Sequence, residues 1–347
     1  MSEEKVSRRG YVKYAAGGIV VVGVAAAGAY YASKPTIPTT TETTIETTTE
    51  APVPLRIGHL VGDLHHVGFF VAYSKGFYEE EGIIPTRLEY PNGATQMMAF
   101  SAGDLDAGYA GAPPVLTSGS KGVEMKLVAS ANLEGSAVVS VIAKPDIKEV
   151  KDLDKRPVGT PGPGSIQDSL LYMIEQKFGI TVARMPMNVF ELPLALEKGE
   201  LDAYIAWEPF PAEAVVKGIG QVIYTSHDIL PNHQCCVLYV SGQLFREKPN
   251  VVKRLIRAHL KGLKLATENP DEAMQIFADM TGKTVDVTRE AWKRMIWDSH
   301  LNVDSMKTLV NYLLEQGKVL PEEVPDVDKF MSNVVDTTLL AEVEASM

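Results

Sequence analysis

The sequence predicts an α/β protein of two lobes, each a mainly parallel sheet flanked by helices, and three observations carry that prediction. First, one stretch occurs twice: Gly103-Asp-Leu-Asp-Ala-Gly-Tyr-Ala-Gly-Ala-Pro113 and Gly199-Glu-Leu-Asp-Ala-Tyr-Ile-Ala-Trp-Glu-Pro209 align without a gap, 96 residues apart. Each copy reads as a helix end closed by Gly, an acidic step, a short apolar strand and a Pro that opens the next helix. Second, short apolar strands alternate with helix-length segments on either side of each copy, the pattern of a parallel sheet. Third, 347 residues suffice for two modest domains, and 45% hydrophobic content with a mean hydropathy of −0.01 is that of an ordinary soluble globular chain.

The first fifty residues bear on the compartment. Ser7-Arg8-Arg9-Gly10-Tyr11-Val12-Lys13 is close to a twin-arginine export pattern and precedes an uncharged run from Tyr14 to Ser33. Twenty residues make a helix of about 30 Å, enough to cross a bilayer, and the basic residues before it keep the N-terminus cytoplasmic. Residues 1–34 are therefore read as a signal or membrane anchor. With no cysteine there for a lipid and no clean Ala-x-Ala site, a retained anchor is preferred to a cleaved signal. Residues 35–54, rich in Thr, Pro and Glu, are too polar to bury anything and form a stalk.

The globular part starts near Leu55. Leu55–Leu60 reads as a strand, Val61–His66 as a loop, Val67–Glu81 as one amphipathic helix and Pro85–Tyr90 as a strand. Asn92 caps a helix to Ala102, the first signature strand follows, and Lys126–Ala131 and Ala137–Ala143 add two more strands. Residues 55–145 make the first part of lobe one. Lobe two, 146–235, restarts the pattern with Pro157–Thr160, the helix Ile166–Phe178, the strand Arg184–Asn188, the helix Glu191–Lys198 and the second signature. Residues 236–347 return to lobe one through the strand Cys236–Val240 and end in helices at Lys248–Thr267, Pro270–Met280, Thr288–Ser299 and Val303–Gln316.

Ligands of open α/β sheets bind beyond the carboxyl ends of the strands, and the candidate residues follow from that position. Asp63, His65 and His66 come after the first strand, where a helix start favours an anion; the bland alternative is a capping or solvent-facing His pair. Gly111 and Ala112 follow the first signature strand. Ser165 closes Pro161-Gly-Pro-Gly164, a loop that is no P-loop because it lacks Gly-Lys-Ser/Thr. It can cap the next helix, contact a ligand, or do both. Trp207 offers a flat apolar wall and Glu208 an acceptor for an amine or ring nitrogen; against this stand lobe packing and a helix-terminal charge. Tyr109 and Tyr204 read as core. His233-Gln-Cys235-Cys236 has the composition of a soft metal site but no established ligand spacing. Cys is commonly a small buried hydrophobe, so no metal and no cofactor is assigned. The net charge of −11 and pI near 5.2 exclude a nucleic-acid partner, which needs a basic face.

Gly68-Phe-Phe-Val-Ala-Tyr-Ser-Lys-Gly-Phe-Tyr-Glu-Glu-Glu-Gly82 resembles the first helix of substrate-binding proteins for nitrate, sulfonates, taurine, bicarbonate and thiamine-pyrimidine precursors. Gly199–Pro209 resembles that family's second hallmark, and Glu247–Ala258 is similar to its helix after the crossover, so the likeness runs from about Leu55 to Met331. The resemblance implies a type II periplasmic-binding fold whose hinge closes on a small ligand, an ABC permease and its ATPase as partners, and an extracytoplasmic place at the cell surface or in the periplasm, anchored or secreted. It also implies ligand contacts at the loop ending in His65-His66, at Gly111-Ala112 and at Trp207-Glu208. The histidine pair and His-Gln-Cys-Cys depart from the family pattern.

The expectation is therefore a monomeric, non-catalytic binding protein for a small anionic or polar organic solute, its contacts drawn from Asp63, His65, His66, Gly111, Ala112, Ser165, Trp207, Glu208 and His233. The alternative from another class is a metal-dependent enzyme resembling the pyrimidine-synthesis branch, using His and Cys residues with iron.

Overall fold

The structure, a computed structural model, describes residues 51–134 and 139–347. The anchor and nearly all of the stalk lie outside these residues, and among the described residues no helix is long and apolar enough to cross a membrane.

Among the described residues eleven strands form two sheets. They are β1 (Val53–Leu60), β2 (Ile83–Tyr90), β3 (Ala107–Gly111), β4 (Met125–Glu134), β5 (Val139–Ala143), β6 (Pro157–Thr160), β7 (Ala183–Pro186), β8 (Ala203–Trp207), β9 (Gln221–Thr225), β10 (Gln234–Ser241) and β11 (Met295–Ile296). Sheet one has the order β11-β4-β10-β3-β1-β2 and sheet two the order β7-β6-β8-β5-β9. The second order repeats the first: β6 lies between β7 and β8 as β1 lies between β2 and β3, in parallel pairing. In each sheet one antiparallel strand is then inserted beside the signature strand, β10 beside β3 and β5 beside β8.

The repeated signature has a packing reason. Gly103 and Gly199, at φ +83° and +80°, end their helices in the left-handed conformation that Gly tolerates. The Leu two residues on then lies over the first parallel strand of its sheet, so closely that a Cβ on Gly58 would sit 2.7 Å from Leu105 Cδ1 and one on Gly159 2.6 Å from Leu201 Cδ1. The acid after each Leu ties the same strand start: Asp106 accepts from Arg56 Nη2 at 2.8 Å, and Asp202 from Arg156 Nη1 at 3.3 Å and Lys144 Nζ at 2.7 Å.

Several expectations are corrected. Val139–Ala143, assigned to lobe one, pairs with β8 and β9 and is the crossover strand of lobe two, so the chain leaves lobe one before residue 139. The return begins at Gln234. The single amphipathic helix over 67–81 is two helices, Val67–Ser74 and Phe77–Glu80, parted by Gly76 at φ +74°. Its first part is not amphipathic: every residue from Val67 to Ala72 is buried, because it is covered by the long helix Pro249–Glu268 as well as by the sheet. The helix expected over Thr288–Ser299 spans Val285–Trp292, after which Met295–Ile296 adds an edge strand to β4. Tyr109 and Tyr204 are core, the first in hydroxyl contact with Tyr78 at 3.2 Å, the second donating to Phe210 O at 2.8 Å.

Candidate functional site

The carboxyl ends of β1, β3, β6 and β8 meet where the lobes face each other. Leu64 N donates to Glu208 O at 3.0 Å, a backbone bond from one lobe to the other, and Leu60 at the end of β1 packs in the same apolar cluster as Trp207 and Phe210. Charge pairs also span the lobes: Lys283 Nζ to Glu213 at 2.7 Å, Lys318 Nζ to Asp168 at 2.5 Å and Arg294 Nε to Glu208 at 2.6 Å.

A small, partly open cavity of about 20 Å³ lies at this junction, room for about one water. Lobe one contributes Asp63, His65, Gly111 and Cys236; lobe two contributes Ser165, Ile166, Gln167 and Trp207. Five residues expected from their place after a strand or loop, Asp63, His65, Gly111, Ser165 and Trp207, thus line one cavity. A wider groove of about 790 Å³ shares Pro114 with it and runs out past Met98, Pro163 and Lys318, without converging buried polar groups.

On lobe one, the loop after β1 makes a turn in which Asp63 Oδ1 accepts from His65 N at 3.0 Å. This holds the carboxylate 3.3 Å from His65 Nδ1. On its other side His65 Nδ1 is 3.4 Å from Cys235 Sγ and 3.8 Å from Cys236 Sγ. Burial by itself pulls the His65 imidazole down, but Cys235 and Asp63 outweigh it and raise it to about 9. Burial lifts the Asp63 carboxyl to about 7 against the pull of His65. Burial also opposes ionisation of Cys235, yet the hydrogen bond from Cys236 and the charge of His65 bring its thiol well below the ordinary value. The favoured arrangement is a Cys235 thiolate facing a His65 imidazolium, with Cys236 protonated.

The remaining candidates sit behind this lining. His66 is buried against Tyr109, its imidazole held neutral by burial and by the neighbouring histidines. Ala112 is buried at the start of the helix after β3. Ser165 Oγ caps its helix, accepting from Asp168 N at 3.1 Å, while the residue also faces the cavity, so both of its readings hold. Glu208 is fully buried, with Oε1 taken by Arg294 at 2.6 Å and Oε2 by Ala212 N at 3.1 Å. Its carboxylate is spent on the protein, and sequence reasoning missed Arg294 because nothing local marks a partner 86 residues on. His233 is buried with Nδ1 3.2 Å from Gln234 O and does not line the cavity. The missed lining residues Ile166 and Gln167 open the helix that Ser165 caps, and their place after a glycine loop was the available signal. Trp207 is 2% exposed, and its Nε1 donor has no acceptor among the described residues.

Two sheets of matching order, the first completed by a strand that returns after lobe two, and facing each other across a buried polar cleft, define a two-lobed type II periplasmic-binding fold. The chain belongs to the NMT1-like family, whose model matches residues 49–295. A Brucella abortus protein named no more closely than a binding protein is 27% identical over 231 residues, 65% of this chain and 71% of its own. The formylaminopyrimidine-binding protein of Halalkalibacterium halodurans is 27% identical over 216 residues, 61% and 65% of the two chains. Among solved structures, the periplasmic nitrate-binding protein of Synechocystis PCC 6803 superposes with a TM-score of 0.73 at 15% identity, over 86% of this chain and 90% of its own.

Proposed function

We propose that this chain is the extracytoplasmic solute-binding component of an ABC importer, a non-catalytic protein that takes a small anionic or polar organic solute between its lobes. The solute classes are sulfonate or taurine, nitrate or bicarbonate, and pyrimidine-like molecules. The lobes close on the solute by a hinge, and the closed face is presented to the permease and its ATPase, with the N-terminal segment holding the protein at the membrane. One observation supports the reading: groups from both lobes converge on one cavity, and among them the buried Trp207 carries an indole donor that has no acceptor among the described residues. An unmatched buried donor costs about 1–3 kcal/mol, which a solute oxygen or ring nitrogen would recover. Wrong ligands would leave that donor unanswered, the usual source of discrimination. Because the cavity holds only about 20 Å³, entry of any such solute requires the lobes to part.

The test is calorimetry with taurine, nitrate, bicarbonate and formylaminopyrimidine, with small-angle scattering of the same samples. One of them should bind with one-to-one stoichiometry and reduce the radius of gyration, and Trp207→Ala should weaken it at least tenfold. No binding across the panel with no change in radius refutes the reading. Release of a chemically altered solute would favour the metal-dependent enzyme instead.

A further inference from the structure

The cluster at Cys235 and Cys236 has a geometry that buried small hydrophobes do not need. Consecutive strand residues point to opposite faces, so neighbouring cysteines should turn their sulfurs away from each other. Here the β10–β4 ladder slips between Gln234 and Cys236 and again between Cys236 and Val237. Such a bulge disrupts the alternation and re-aims side chains. The two sulfurs consequently lie 3.8 Å apart, both within 3.8 Å of His65 Nδ1.

These separations can be compared with the edges of a metal tetrahedron. Bonds of about 2.3 Å to sulfur, 2.0–2.1 Å to imidazole nitrogen and 2.0–2.2 Å to carboxylate oxygen give edges of about 3.8 Å for S···S, 3.6 Å for N···S and 3.3 Å for N···O. The observed distances are 3.8 Å between the sulfurs, 3.4 and 3.8 Å from Nδ1 to each sulfur, and 3.3 Å from Nδ1 to Asp63 Oδ1. The Asp63 carboxylate, fixed by the His65 backbone N–H at 3.0 Å, places a negative charge beside the two sulfurs and Nδ1, the kind of outer support that metal sites usually have. All four residues are at most 2% exposed. Asp63, His65 and Cys236 also border the cleft cavity, which supplies a way in.

We propose that His65, Cys235 and Cys236, whose ligand atoms all lie within 4.8 Å of one another, bind one thiophilic d¹⁰ metal ion, zinc(II), on lobe one, with the fourth position left to an exogenous ligand and the Asp63 carboxylate beside the site. The two thiolates and the imidazole make the site soft, which disfavours magnesium and calcium. Because β10 and β1, whose following loop carries His65, both belong to sheet one, loading requires neither lobe closure nor a solute. The proposal therefore stands or falls apart from the solute-binding reading.

The experiment uses the full-length chain, reduced and stripped by a chelator, titrated with zinc alone against a chromophoric competitor and, separately, with cobalt(II). One zinc per chain should bind, and cobalt should give thiolate-to-metal charge transfer with tetrahedral visible bands. Loss of an outer-shell partner typically weakens metal binding 10–100-fold, so Cys235→Ser or Cys236→Ser should weaken zinc by at least about 100-fold and abolish the charge-transfer band. His300→Ala, which removes an exposed imidazole beside Asp298 and Glu344, should leave both unchanged. In the unaltered chain, zinc should protect both thiols from alkylation, a readout that does not depend on how the variants fold. Substoichiometric zinc, a cobalt spectrum without charge transfer, or thiols that react equally fast with and without zinc would overturn the proposal.

Discussion

Replacing Arg294 by Met tests how the lobes are held together. Arg294 Nε meets Glu208 Oε1 at 2.6 Å and Nη1 meets Glu290 at 2.8 Å, with the Arg side chain 14% exposed and Glu208 fully buried. Removing one member of a buried pair strands the other charge, a loss of about 3–5 kcal/mol, whereas an exposed pair would cost about 0–1 kcal/mol. For a body of this size that corresponds to a fall of roughly 5–8 °C in melting temperature. Burial already raises the Glu208 carboxyl above its ordinary value, with Arg294 as the main opposing influence, so the variant should hold it higher still. An acid whose folded-state pKa lies above the unfolded one is stabilising below the unfolded value and loses that contribution as pH rises through the folded one. The deficit of Arg294→Met should therefore be smallest near pH 5 and grow toward pH 8, and Glu208→Gln with Arg294→Met should recover most of it. Urea denaturation at several pH values measures both. A loss below about 1 kcal/mol, far under the value for a buried pair, or a deficit that shrinks as pH rises, would refute the reasoning.

Two further outcomes follow from the core. His259, buried with Nε2 3.0 Å from Ser130 O, is held down to about 4, chiefly by burial. The unfolded chain takes up this proton below its ordinary value near 6.5, so stability should be full above that pH and fall by about 3 kcal/mol as pH drops toward 4. His259→Gln should flatten this part of a stability-versus-pH curve, and an unchanged slope would show that the imidazole is already charged in the fold. Gly159→Ala would place a Cβ 2.4 Å from Leu192 Cδ2 and 2.6 Å from Leu201 Cδ1, an overpacking worth about 1–3 kcal/mol. Combining it with Leu201→Ala should cost less than the sum of the two, and strict additivity would deny the contact.

The sequence carried much of this because its signals were local. The paired signatures located β3 and β8, since a Gly in the left-handed conformation, a Leu over a strand glycine and an acid at the strand start are all set within a few residues. The same positional logic found Asp63, His65, Gly111, Ser165 and Trp207. What escaped was set by distant partners. The strand Val139–Ala143 was recognisable, but its membership of sheet two depends on pairing with residues sixty or more positions on. Glu208 looked available because Arg294 was out of sight. The approach of Cys235 and Cys236 depends on a bulge, and a bulge is a property of two strands in register that neither strand displays alone.

The inserted strand β10 makes lobe one depend on the passage of the chain through lobe two. β10 lies between β3 and β4, and β5 lies between β8 and β9. Sheet one therefore has a gap at its centre until the chain has travelled out through lobe two and come back. A fragment ending before Gln234 would carry β3 and β4 with nothing to join them, two unsatisfied edges of the kind that invite aggregation. Pairings this remote in sequence also form slowly. Lobe one must therefore wait for the chain to return, so limited proteolysis should release no stable lobe-one fragment that lacks β10.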